Sequence, residues 1–272
     1  MTVGPSLVER AGALLREAAA GFVLPRYQRL AAGEVEEKSP GELVTVADRE
    51  AEAWLTPRLA ALVPGSRVVG EEAVEADPSL LEGLEGGVAW LLDPVDGTSN
   101  FARGEARFAM MAALLRDGEA LAAWILDPVT DTLAAAEKGS GAMLDGERLR
   151  VPGAPAEAAS LDGALHCTFM PAPVRAAVEA RAGRFGTTFG GLGCAGHEYR
   201  DLAMGRRHFS IYWRTHPWDH VPGSLLLMEA GGHCARLDGA PYVVGDGRVG
   251  LLGAASPGAW RAVREALGDA VE

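Results

Sequence analysis

Apolar positions in residues 5–31, among them Leu7, Ala11, Leu14, Leu15 and Ala18, recur at helical spacing, with Pro5 and Ser6 near the start. The spacing predicts an amphipathic packing helix, bent or ended near Pro25. Residues 33–46 read instead as two short strands or an irregular hairpin around Ser39-Pro40-Gly41. A helix then runs to about residue 62, and residues 67–69 form a short strand leading into Gly70, Glu71 and Glu72. Residues 88–92, VAWLL, are a short apolar run cut off by turn residues, the pattern of a buried strand. From 107 to 149, apolar runs of strand length alternate with turns at Asp117-Gly118, Gly139-Ser140-Gly141 and Asp145-Gly146. This is the signature of an antiparallel meander, with Met110 and Met111 in its core.

Residues 151–159, VPGAPAEAA, mark the one plausible internal boundary. Beyond it the pattern alternates: strands near 164–167, 186–188, 208–213, 233–237 and 249–253, and helices near 173–182, 195–204, 219–230 and 257–267. The chain therefore predicts an α/β (α+β) protein of two intimately joined halves forming one structural unit, residues 1–150 with an antiparallel sheet and residues 151–272 of α/β type.

Composition narrows the class. At 272 residues, 48% hydrophobic, with a mean hydropathy of +0.06, the chain reads as globular and soluble. Its 25 basic and 37 acidic residues give −12, against a nucleic-acid-binding surface and in favour of carboxylates free for metal. Cys167, Cys194 and Cys234 are odd in number and contain no CxxC, so neither a disulfide framework nor a zinc site is indicated. No signal pattern and no apolar run of about 18 residues is found. These features predict a reduced, cytoplasmic protein with no membrane partner.

The chemistry concentrates at residues 93–100, DPVDGTSN. Asp93 and Asp96 lie three apart around Pro94, so a restricted turn can aim both carboxylates at one spot. Carboxylates that close need a proton or a cation between them, and a hard divalent ion such as Mg²⁺ takes oxygen ligands of this kind. Gly97, Thr98, Ser99 and Asn100 suit a helix start whose free N–H groups would face an anion. An ordinary Asx-rich turn is the other reading. Asp48, near the start of its helix, is either a favourable charge at the helix dipole or a carboxylate aimed into a site. Asp219 falls at the N-cap of the 219–230 helix, as a cap or as a ligand from the second half. His216 and His220 read as packing or surface residues, and Lys38 as solvated unless a phosphate lies beside it.

Taken in order, KSPGELVTVAD, GEE, WLLDPVDGTSNF, EKGSGAMLDGERL and WDHVPGSLLLMEAGG resemble the inositol monophosphatase family, within the Mg²⁺-dependent, lithium-sensitive sugar phosphatases that include fructose-1,6-bisphosphatase. The resemblance implies a layered α-β-α-β-α sandwich, commonly a homodimer, with the active site between the halves. It implies that Glu71, Asp93 and the Val95 carbonyl hold one Mg²⁺, and Asp93, Asp96 and Asp219 a second. A third, weaker ion would lean on Glu71 and substrate. Asp48 and Thr98 match the pair that orients the attacking water, Gly97 and Thr98 offer N–H groups to phosphate, and Glu72 and Lys38 support the ligands from behind. The implied activity is hydrolysis of a small phosphorylated alcohol, without a covalent phospho-enzyme.

The chain departs from the family where the alcohol would sit. In inositol-hydrolysing members an acid stands a few positions before the WD pair; here the position is Tyr212, followed by Trp213 and Arg214. The usual WD-x-A-A-G is WDHVPG, and GCAGHEYRDLA replaces a smaller, less charged stretch. Residues 194–200, including Cys194 and Ala195, together with Tyr212 and Arg214 are expected to shape the pocket. Inositol phosphate, histidinol phosphate, a 3′-phosphoadenosine nucleotide or a sugar phosphate is then the substrate. A non-catalytic or regulatory member, or a partner of the transcription machinery, is the reading outside enzymology.

Overall fold

The computed structural model describes residues 3–31, 33–39 and 42–271. Helix α1, Pro5–Ala18, widens into a π-helical turn over Ala19–Val23, and Pro25 falls in the turns that follow. Strands β1, Val35–Ser39, and β2, Glu42–Thr45, pair antiparallel as a hairpin whose expected turn residues, Pro40 and Gly41, lie outside the described residues. Helix α2, Val46–Leu62, starts on a capping box: Thr45 accepts from the Ala47 N–H, and Asp48 reaches back to the Thr45 N–H.

The first sheet has seven strands in the order β3, Arg67–Gly70; β4, Val88–Asp96; β5, Ala109–Arg116; β6, Glu119–Asp127; β7, Thr132–Glu137; β8, Gly141–Leu144; and β9, Glu147–Leu149. The meander from β5 to β9 is antiparallel as the turns predict and β4 joins its edge antiparallel, but β3 runs parallel to β4, a pairing that no tight turn announces. A short helix, α3, Glu71–Ala76, follows β3 where the sequence showed only two acids.

In the second half, β10, Gly163–Leu165; α5, Ala172–Glu179; β11, Thr188–Phe189; α6, Ala195–Ala203; β12, Phe209–Tyr212; α7, Pro217–Glu229; β13, His233–Arg236; β14, Leu251–Ala254; and α8, Pro257–Leu267 follow the predicted alternation closely. Their sheet has the order β11-β10-β12-β14-β13, parallel among the first three strands and antiparallel beyond.

Strand alternation builds the layers. Trp90, Leu92, Met110, Ala112 and Trp124 face α1 and α2, whereas Met111, Ala123 and Ile125 point the other way, onto α6 and α7. Both methionines are fully buried, on opposite faces. The second sheet covers the far side of α6 and α7, and α5 and α8 close its outer face through Val178, Trp260, Val263 and Leu267. The result is the α-β-α-β-α sandwich, in which both sheets are buried on both faces.

Candidate active site

Strand β4 does not stop at residue 92. It continues to Asp96, but its register against β5 shifts between Asp93, opposite Met111, and Asp96, opposite Ala109. This bulge around Pro94 lets the strand carry two acids while turning them off the ladder. Asp93 accepts the Val95 N–H at 3.0 Å, closing the turn. Gly97 then adopts φ 87°, and a Cβ there would lie 2.9 Å from the Arg107 carbonyl oxygen and 3.0 Å from Cys194 Cβ, so only glycine fits. Helix α4, Thr98–Ala102, starts immediately after it.

Three of the predicted ligands converge. Glu71 from the start of α3, Asp93 from β4 and Asp219 from α7 place carboxylate oxygens within 4.8 Å of one another. Burial, then the Asp219 charge, pushes the Glu71 carboxyl up to about 8. Burial with Asp96 nearby pushes Asp219 up to about 7, and burial raises Asp93 as well. Three hard oxygen donors crowded into a poorly solvated corner suit a divalent cation. Lys38 supplies positive charge beside them, with Nζ 2.9 Å from Glu71 and 2.8 Å from Glu72. Although burial opposes its charge, those two glutamates hold the Lys38 pKa above its usual value.

Asp96 stands differently. Its oxygens accept from the Ala195 N–H at 3.0 Å, the Gly196 N–H at 2.6 Å and the Cys194 thiol at 2.9 Å. The free N–H groups at the start of α6 draw the carboxylate onto the helix, and among the described residues it is outside the three-acid cluster. Asp219 is not an N-cap: α7 begins at Pro217 with His216 at the cap, which puts Asp219 inside the first turn. Pro217 moves the start two residues earlier because proline is pre-set for the first helical position.

Beside the cluster, Thr98 Oγ1 donates to the Val95 carbonyl at 2.9 Å and lies 3.3 Å from Asp48 Oδ1. Asp48 is fully buried, and burial pushes its carboxyl up to about 7.

Lys38, Glu71, Asp93, Val95, Asp96, Thr98 and Asp219 line a cleft of about 560 Å³ between the halves, which Cys194, Ala195, Tyr212 and Arg214 also border. Tyr212 is buried in a ring stack, 5.2 Å from Tyr199 and 5.0 Å from His166 between centroids. Arg214 pairs with Glu42 of the hairpin and lies 3.9 Å over the Phe169 ring. His216 stacks on Trp218 at 4.9 Å, and buried His220 bonds Tyr199 and the Arg214 carbonyl, each at 3.1 Å. Burial, with Arg214 nearby, holds the His216 pKa down to about 4, and burial takes His220 down to about 3, so both are neutral packing residues.

Several contributors escaped the sequence reading. Glu52, one helical turn after Asp48 and on the same face, accepts the Glu72 and Ala73 N–H groups at 3.0 and 2.8 Å and so fixes the α3 entry. A Cβ on Gly70 would meet its carboxylate at 2.3 Å. An acid on an apolar helix face was the available signal. His166, whose Nε2 is 3.0 Å from buried Glu198, and Phe169 had none.

The inositol monophosphatase family model matches residues 6–268. The chain is 31% identical to the inositol-1-monophosphatase of Bacillus subtilis (strain 168) over 248 residues, 89% of each. It is 35% identical to the inositol-1-monophosphatase of Rhizobium meliloti (strain 1021) over 211 residues, 74% of this chain and 75% of the relative. The solved structure of the extragenic suppressor protein suhB from Bartonella henselae matches with a TM-score of 0.82 at 23% identity, over 97% of this chain and 99% of that one, a likeness of fold.

Proposed function

The chain belongs to the inositol monophosphatase family, and from that premise we propose that its cleft hydrolyses a small phosphorylated alcohol in a Mg²⁺-dependent reaction. The observation that carries this is the meeting of Glu71, Asp93 and Asp219 beside the Thr98–Asp48 pair. Glu71, Asp93 and the Val95 carbonyl would hold one ion, and Asp93, Asp219 and Asp96 a second; Asp96 reaches it by giving up part of its bonding to α6. When bound, Mg²⁺ supplies easier ionisation of water and neutralisation of phosphoryl charge.

The chain's own groups do the rest. Thr98 Oγ1, whose hydroxyl donates to the Val95 carbonyl or to Asp48 Oδ1, turns a lone pair to the attacking water. Asp48, with a pKa of about 7, can accept a proton at neutral pH. The N–H groups of Gly97 and Thr98 face the phosphate, Lys38 offsets the glutamate charge, and Cys194, Ala195, Tyr212 and Arg214 border the alcohol. No covalent intermediate is needed.

The test is phosphate release from inositol 1-phosphate, histidinol phosphate, a 3′-phosphoadenosine nucleotide and a sugar bisphosphate, with and without Mg²⁺, for the wild type and Asp93→Asn. Mg²⁺-dependent turnover that disappears in the variant is expected. Turnover unaffected by chelation would overturn the reading. The same reading takes the protein as a cytoplasmic, lithium-sensitive homodimer, checked by gel filtration and lithium inhibition. No described helix is long and apolar enough to cross a membrane.

A further inference from the structure

Strands β13 and β14 are paired up to Arg236 opposite Leu251, yet residues 237–250 between them run far beyond the about two to five residues that a hairpin turn needs. A connection of that length without strand or helix is usually either disordered or functional, and this one is held by its own contacts. It folds around Arg236, the last residue of β13, whose side chain is 1% exposed. The guanidinium pairs with Asp246, donates to the Arg248 carbonyl at 3.0 Å and lies 4.7 Å over the Tyr242 ring. Desolvation offsets much of what such a buried pair gains, and an apolar side chain of like volume often holds a fold as well. Stability alone therefore does not account for Arg236.

Outside its own loop the guanidinium reaches Thr215. Arg236 donates to Thr215 Oγ1 at 3.0 Å, and that hydroxyl donates onward to the Arg248 carbonyl at 2.9 Å. Thr215 stands in the short connection between β12 and α7, and the loop grips the backbone of that connection as well. The Gly250 N–H donates to the Trp213 carbonyl at 2.8 Å, and the Tyr242 hydroxyl donates to the Thr215 carbonyl at 3.3 Å. Helix α7 begins directly afterwards, at Pro217, and carries Asp219 in its first turn. Asp219 needs such a hold. Glu71 and Asp93 reach the acid wall of the cleft from the first half and Asp219 from the second, and like charges within 4.8 Å drive one another apart. Repulsion acting on Asp219 bears on the start of α7, and so on the connection that the loop grips.

We propose that Arg236 is a positioning residue for the acid cluster: through Thr215 it holds the β12–α7 connection so that Asp219 stays within reach of a cation shared with Glu71 and Asp93. The inference rests on the Mg²⁺-dependent reading above. Arg236 does not line the cleft, and it acts only through the backbone between Thr215 and Asp219. The Thr215 hydroxyl is the joint. Its removal leaves the guanidinium paired with Asp246 and the Arg248 carbonyl, so the hold can be broken without stranding the buried charge.

The experiment measures Mg²⁺ affinity by titration calorimetry on the substrate-free protein, for the wild type, Thr215→Val, Thr215→Ser and Arg236→Met. Thermal midpoints in EDTA and the Mg²⁺ dependence of phosphate release are recorded beside it. Thr215→Val keeps the size of the side chain and loses its hydroxyl; it should weaken Mg²⁺ binding by about tenfold or more, the usual effect of losing a group that orients a metal ligand. Thr215→Ser should restore the affinity, and Arg236→Met should weaken it at least as much as Thr215→Val. The half-saturating Mg²⁺ concentration of Thr215→Val should rise while its kcat at saturating Mg²⁺ approaches that of the wild type. A merely structural role would lower the midpoint and leave the Mg²⁺ affinity of folded Thr215→Val unchanged, which would overturn the inference and leave the phosphatase reading standing. Absence of Mg²⁺ binding in the wild type would remove both. Because Thr215→Val decides alone, an Arg236→Met variant that fails to fold does not rescue the proposal.

Discussion

The acid wall and the aromatic wall of one cleft obey opposite stability rules. On the acid wall, Glu71, Asp93 and Asp219 crowd like charges together in a poorly solvated place, so the fold bears a cost that a cation or protons relieve. On the aromatic wall, Tyr199, Tyr212 and His166 stack with their faces covered, and the same residues that shape the pocket hold the second half together. Chemistry is therefore separable from stability on one wall and fused with it on the other.

The sharpest test of that contrast is Asp93→Asn. Activity should fall by about 10³-fold or more, since several kcal/mol of charge stabilisation are lost. Its thermal midpoint in EDTA should stay level or rise, because a charge leaves the crowded cluster; a large fall would show the acid to be structural. Tyr212→Ala is the mirror case. It empties a packed site and should cost about 3 kcal/mol or more in urea unfolding.

Thr98→Ala should lower kcat by about 10²-fold through loss of the water-orienting hydroxyl, by a similar factor for every substrate turned over. A loss confined to one substrate would move Thr98 from chemistry to selectivity. The pH dependence of the metal-free protein is a smaller effect with a definite sign. Asp48, Asp219 and Glu71 rise from 3.8, 3.8 and 4.5 to about 7, 7 and 8 in the fold. The native state thus binds more protons than the unfolded chain across that window, and stability, fully present below about pH 4, is lost progressively as pH climbs from there through 7 to 8. Thermal midpoints in EDTA should fall accordingly, and Mg²⁺ should flatten the fall. Smallest of all, Glu42→Gln removes a partly exposed ion pair to Arg214, with an expected cost below ~1 kcal/mol by urea unfolding.

The sequence by itself determined the elements and the nature of the acid wall. Periodicities of 2 and 3.6 are local, so α2, the β5–β9 meander and the second-half alternation could be read to within two or three residues. The D-P-V-D-G-T turn is local too, and it announced the oxygen-rich site. The resemblance of five ordered motifs then gathered the remaining acids. Only the tertiary structure decided which groups meet. The bulge between Asp93 and Asp96 sends one acid to Glu71 and Asp219 and the other to the α6 N-terminus, 98 to 100 residues away in sequence. Glu52 fixes the entry to α3, and Arg214 settles between Glu42 and Phe169. Such contacts depend on strand register and layer packing across the whole chain, and no local pattern of side chains encodes the partner a side chain will find there.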